Sequence, residues 1–218
     1  MTTALIIAVT AIISYTAFNN KNMEERLIFH PPLVARGEWY RLFTYGVLHA
    51  DFTHLFFNMF TLYLFGSEIE RVCKAMLGAT QGTACYLLLY ISALFVAIVP
   101  TYLKNKNNHY YYGLGASGAV SAIVFAYVLI HPMSFMGVLF IPIWFPAFLF
   151  GAIFILISMY LDKNHPGGIN HSAHIAGGIY GIAFMSVALW ILRGVNLITA
   201  FFDQIRIDSI HDIIRFGF

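Results

Sequence analysis

Six apolar stretches, at about residues 3–18, 55–65, 84–103, 116–130, 133–161 and 174–192, leave this chain little sequence from which to build a water-facing surface. Only 10% of its 218 residues are charged and 60% are hydrophobic, against the roughly 25% charged of an average soluble domain. A bilayer crossing needs about 20 apolar residues, so six spans is the natural count and lipid the expected solvent. A net charge of +2 argues against nucleic acid as a partner. The first stretch has no basic residue ahead of it and no clear small-residue cleavage site, and reads as a retained span rather than a signal peptide.

The fourth stretch opens on Gly115-Ala116-Ser117-Gly118 and the sixth on Ala173-His174-Ile175-Ala176-Gly177. From Ser117 to Ile130 a helix covers about 20 Å, less than the roughly 30 Å of hydrocarbon. If His131-Pro132 lies at one interface, Ser117 starts its helix well below the other. Non-helical backbone at that depth is tolerated only where it is buried in protein or lines a water-filled cavity. The spacing therefore predicts a wet pocket with a serine at its floor.

A serine hydroxyl is a weak nucleophile until a base takes its proton, and imidazole titrates near neutral pH. With alternating spans the fourth and sixth run parallel, so Ser117 and His174 sit at the same side and can meet. The unpaired N–H groups and positive dipole end at the head of the Ser117 helix suit a developing oxyanion. Gly115, Ser117, Gly118 and Ser121 are also the small residues that let membrane helices approach, and that packing role competes with catalysis. An ionisable residue inside a span, as His174 is, points to function. Gly177 and Gly181 follow it at i+3 and i+7 on one helical face and predict a close seam that brings histidine and serine backbones together.

His54 and Asn58, at i and i+4 near the head of the second stretch, share one face and can aim two donors at one spot. The competing reading is an interhelical hydrogen bond or a capping histidine, which is preferred for His49. No Asp or Glu occurs between Lys74 and Leu161, which removes paired intramembrane carboxylates, and no His-Glu-x-x-His zinc motif exists. A Ser–His dyad remains, with no cofactor or metal implied. A small transporter or metal-handling channel built on His49, His54, His171 and His174 would have the histidines but lack carboxylates. Cys73 and Cys85 give no disulfide framework and read as packing residues.

Residues 19–53 mix charges with Phe29, Trp39, Tyr40, Phe43 and Tyr45, a composition suited to the membrane interface. Residues 162–170, with Pro166-Gly167-Gly168, read as a lid or as an ordinary polar turn. After Leu192, apolar residues of 198–218 alternate with Asp203, Arg206, Asp208, Asp212 and Arg215, which predicts an amphipathic interfacial helix. With a cytoplasmic N-terminus the basic residues divide five inside to seven outside, so charge alone votes weakly against that orientation.

Four motifs in order, Glu38-Trp39-Tyr40-Arg41, His54-Leu55-Phe56-Phe57-Asn58, Gly113-Leu114-Gly115-Ala116-Ser117-Gly118 and Ala173-His174-Ile175-Ala176-Gly177 with Gly181, resemble the rhomboid family of intramembrane serine proteases, of the bacterial type. The resemblance implies an all-α six-helix membrane bundle over 1–193; the interfacial helix read above from its own pattern takes up 194–218. It implies a dyad of Ser117 and His174, and an oxyanion hole from the Ser117 N–H with His54 and Asn58. Trp39 and Arg41 would hold a long first loop partly in the outer leaflet, with Gly115, Gly118, Gly177 and Gly181 as packing residues. The expected location is a bacterial inner membrane, with the site opening to the extracytoplasmic side and transmembrane proteins as substrates. The other reading is a catalytically silent relative that binds membrane clients. Members of the family often carry a tyrosine one turn after the serine that packs on the histidine, where this chain has Ser121.

Overall fold

Helix α8, Ser117–Ile130, forms the axis of the molecule, with ten of its fourteen residues buried. Its composition explains the placement, because Gly118, Ala119, Ser121, Ala122 and Ala126 offer neighbours almost no side chain to clear. A computed structural model describes residues 1–137, 141–164 and 169–217. Around α8 are arranged α1 (Thr2–Ala17), α5 (Phe52–Thr61), α6 (Ser67–Leu77), α7 (Ala79–Asn105), α9 (Ala147–Asn164) and α10 (His171–Arg193), with short α2 (Lys21–Leu27), α3 (Pro31–Ala35) and α4 (Arg41–Thr44) between α1 and α5. Three of these, α7, α9 and α10, are long and apolar enough to cross a membrane, and α1 and α8 are shorter apolar helices.

The α8–α10 seam is set by missing side chains. A β-carbon on Gly181 would stand 2.0 Å from the carbonyl oxygen of Ala122, and one on Gly118 would stand 2.6 Å from the Ala97 methyl of α7. Contacts of this kind forbid anything larger than glycine, and they fix α10 parallel to α8.

The second apolar stretch is longer than its hydropathy indicates. A π-helical turn at Leu62–Gly66 joins α5 to α6, so the chain stays helical from Phe52 to Leu77. The charges of α6 are paired: Glu68 with Arg71 and His131, and Glu70 with Lys74. Glu70, buried, also accepts the N–H groups of Thr2 and Thr3 at 2.8 Å and the Thr3 hydroxyl. It thereby caps α1 from another helix.

Two expectations are refined. The fold is mostly helical, as expected, and adds a three-stranded antiparallel sheet formed by β1 (Phe135–Gly137), β2 (Ile143–Pro146) and β3 (Arg215–Phe216), in that order. The fifth stretch therefore becomes helical only at Ala147. Pro132, Pro142 and Pro146 remove backbone donors and keep their predecessors extended, so residues before Ala147 cannot extend α9 backwards. After Arg193, continuous helix is confined to α11, Leu197–Gln204. Beyond it the chain turns at Ile210–Asp212 and pairs with β2, where Trp144 donates to the Gly217 carbonyl at 2.8 Å and Arg215 lies over the Phe135 ring.

Candidate active site

The segment leading to Ser117 is held on both sides before the helix begins. Gly113 exchanges two backbone hydrogen bonds with Phe29, at 3.0 Å each, and Gly115 donates to the Tyr45 carbonyl at 3.0 Å. Gly115 has φ +112°, and a β-carbon there would meet the His54 ring at 2.8 Å, so backbone conformation and close approach both require glycine. Tyr45 is anchored in turn by its hydroxyl, which donates to the Leu94 carbonyl at 2.7 Å.

The first i→i−4 bond of α8 runs from Val120 N–H to Ala116, which leaves the N–H groups of Ser117, Gly118 and Ala119 without acceptors inside the helix.

The head of α10 is fixed with similar care. Asn170 caps it by accepting from Ala173 N–H, and the Thr101 hydroxyl of α7 donates to the same Asn170 oxygen at 3.0 Å. Asp162 at the end of α9 accepts from the backbone and hydroxyl of Ser172. One turn on, His174 Nε2 lies 2.8 Å from Ser117 Oγ. Among the described residues no carboxylate hydrogen-bonds His174. Its ring is instead flanked by the Phe154 face, with centroids 6.0 Å apart and planes at 30°, and by the edge of His171 at 5.9 Å.

Both side chains line a cleft of about 540 Å³, together with His54, Asn58, Tyr111, Tyr112 and Asn170. Asp51 caps α5 by accepting the His54 N–H at 2.7 Å. Ala50 N–H approaches His54 Nδ1 at 3.4 Å, which assigns Nδ1 as acceptor and leaves the proton on Nε2, toward Gly115. The buried Asn58 amide spends one hydrogen on the His54 carbonyl at 3.0 Å and keeps a second.

His49 belongs to a neighbouring arrangement. Ser14 donates its hydroxyl to the Val47 carbonyl, so its oxygen accepts from His49 Nδ1 at 2.9 Å, a bond that ties the loop before α5 to α1. Arg41 is buried, donating to the carbonyls of Glu25 and Ile28 and pairing with Glu38 at 2.7 Å, while Trp39 is exposed. The Tyr40 hydroxyl and then Arg41 hold the Glu38 carboxyl below its usual range. Among the described residues no three metal-ligating side chains cluster as a metal site. Residues 165–168, with the Pro166-Gly167-Gly168 of the expected lid, lie outside the described residues.

The Phe154 contact, the Asn170–Thr101 brace and the Phe29–Gly113 pairing join residues far apart in sequence. Periodicity within one helix carries no signal for any of them.

A profile of the rhomboid domain matches residues 36–191, most of the chain and all of the cleft. The chain belongs to the rhomboid family. The family protein YdcA of Bacillus subtilis is 37% identical over 95 residues, 44% of this chain and 43% of that protein. RHOMBOID-like protein 12, mitochondrial, of Arabidopsis thaliana is 29% identical over 184 residues, 79% of this chain and 54% of that one. Rhomboid protease GluP of Bacillus subtilis is 34% identical over 88 residues, 40% of this chain and 15% of GluP. The matches thus span about half or less of these relatives' own lengths, and the relatives are bacterial and mitochondrial.

Proposed function

We propose that the chain is a six-span intramembrane serine protease that hydrolyses peptide bonds in or near the transmembrane segments of other membrane proteins. The observation that carries this reading is the 2.8 Å contact between His174 Nε2 and Ser117 Oγ, at the floor of a cleft where helix donors stand unpaired.

In the reaction, Ser117 Oγ bonds to the substrate carbonyl carbon as its proton passes to His174 Nε2. The carbonyl electron pair moves onto oxygen, where the Ser117 N–H, His54 Nε2–H and the free Asn58 hydrogen receive it. Collapse breaks the C–N bond, and His174 returns the proton to the departing amine. Water then attacks the acyl ester with the same base, regenerating Ser117. A substrate helix has its carbonyls engaged in i→i−4 bonds, so it must unwind at the cut, and helix-breaking residues belong there. The lipid bilayer is the working environment. By resemblance the cleft opens to the extracytoplasmic side of a bacterial inner membrane.

The test is covalent labelling of the purified protein with a fluorophosphonate, alongside cleavage of a single-span substrate in vesicles. Labelling mapped to Ser117, and cleavage lost in Ser117→Ala, is the expected result. Turnover by a well-folded Ser117→Ala variant would end the reading.

A further inference from the structure

His174 has to hold Nε2 on Ser117 with no carboxylate on the ring's other nitrogen among the described residues. Ser121, one turn after Ser117, carries too small a side chain to pack on the imidazole. The support comes from a different helix. Gly151 and Phe154 lie one turn apart on α9, and His174 and Gly178 lie one turn apart on α10. The Phe125 ring of α8 is wedged where the two faces meet: a β-carbon on Gly178 would lie 2.8 Å from it, and one on Gly151 would lie 3.3 Å away. Phe125 packs on Phe154 with centroids 5.8 Å apart, and Phe154 stacks on His174.

Resting on the protease reading above, we propose that Phe154 is the positioning residue for His174. Its ring holds the imidazole plane so that Nε2 stays on Ser117 Oγ, and its π face receives the positive charge that develops when His174 takes the proton. Phe125 backs Phe154 in turn, its ring tilted at 58° to it, so the base is aligned by a chain of three rings drawn from α8, α9 and α10. The buried residues of α9 are few, Ala147, Gly151 and Ser158, and half-buried Phe154 joins Asp162 in linking this helix to the head of α10. Alignment of the base is thereby tied to the seating of α9: a shift of that helix away from α10 takes the ring off the imidazole.

The experiment compares Phe154→Leu, which keeps apolar bulk and loses the face, with Phe154→Tyr, which keeps the face. The rate of Ser117 labelling by a small fluorophosphonate is read beside kcat and KM for a single-span substrate in vesicles, with thermal melting as the control for fold. Labelling reports on serine activation without requiring a substrate helix to reach the cleft. The expected result is a loss of about tenfold in labelling rate and in kcat for Phe154→Leu, with KM unchanged, and near-full recovery in Phe154→Tyr. If Phe154→Leu melts early, Phe154→Met, flexible and without a face, is read in its place. Wild-type labelling rates in the leucine or methionine variant overturn the proposal. So does a change confined to KM, which would give Phe154 to substrate passage. Absence of labelling in the wild type is a different failure, that of the protease reading itself.

Discussion

Gly177 lies directly over Gly118: a β-carbon on the first would stand 2.0 Å from the carbonyl oxygen of the second. The atom it would meet is backbone, which cannot rotate aside, so α10 would have to back away from α8. Gly177→Ala is therefore expected to destabilise by about 3 kcal/mol, the upper end of overpacking costs. Because His174 sits one turn earlier on the same helix, the same change should slow cleavage in whatever fraction stays folded. Melting temperature and specific activity measured together check this, and unchanged melting would mean the two helices are not seated so closely.

Ser117→Ala and His174→Ala should each abolish cleavage and leave melting close to wild type, since neither side chain carries the α8–α10 seam. Their effects should not add, because the two act as one unit. A double variant that loses many-fold more than either single one, in an assay able to resolve residual rates, would show that they act independently.

His54→Ala and Asn58→Ala test the donors opposite the helix head. Removing one oxyanion donor typically costs about 10²–10³ in rate, so kcat should fall on that scale with KM little changed. If the two residues serve only to hold helices together, the lost activity should instead track a lowered melting temperature.

Two pH effects are expected. Activity should fall on acidification, because only a neutral His174 can accept the serine proton; a rate that climbs steadily toward acid, with the fold intact, would point to a carboxylate base. The second effect concerns stability. Glu38 has its pKa lowered by the Tyr40 hydroxyl and then Arg41, so its contribution is fully present above the usual carboxylate pKa and is lost as pH falls through the lowered one. Melting followed from pH 7 downward should drop in the acid range in the wild type and drop less in Glu38→Gln. Parallel curves would remove Glu38 from the anchoring of residues 19–53.

Some of this was legible along the chain and some was not, for physical reasons. Ser117 and His174 announce themselves because each follows a break of small or polar residues and heads an apolar run, a pattern local in sequence. Residues 133–146, which hold the paired strands β1 and β2, are as apolar as a span, and hydropathy does not distinguish strand from helix in such a run; the signal was in Pro132, Pro142 and Pro146. The second helix looked short because Glu68, Glu70, Arg71 and Lys74 count against a span one at a time, whereas in the fold they neutralise one another. Phe154 looked like any other apolar residue of a long run, and only the crossing of α9 over α10 sets its ring against His174.

The cap that Glu70 places on α1 bears on how such a chain is assembled. The acceptors for Thr2 and Thr3 lie nearly seventy residues downstream. A helix delivered to an apolar medium with bare amide groups is penalised by several kcal/mol for each one. During synthesis the first turn of α1 has to wait, wet or frayed, until α6 has followed it. The first two long helical segments are in that sense a single unit of insertion, closed by a carboxylate belonging to the second.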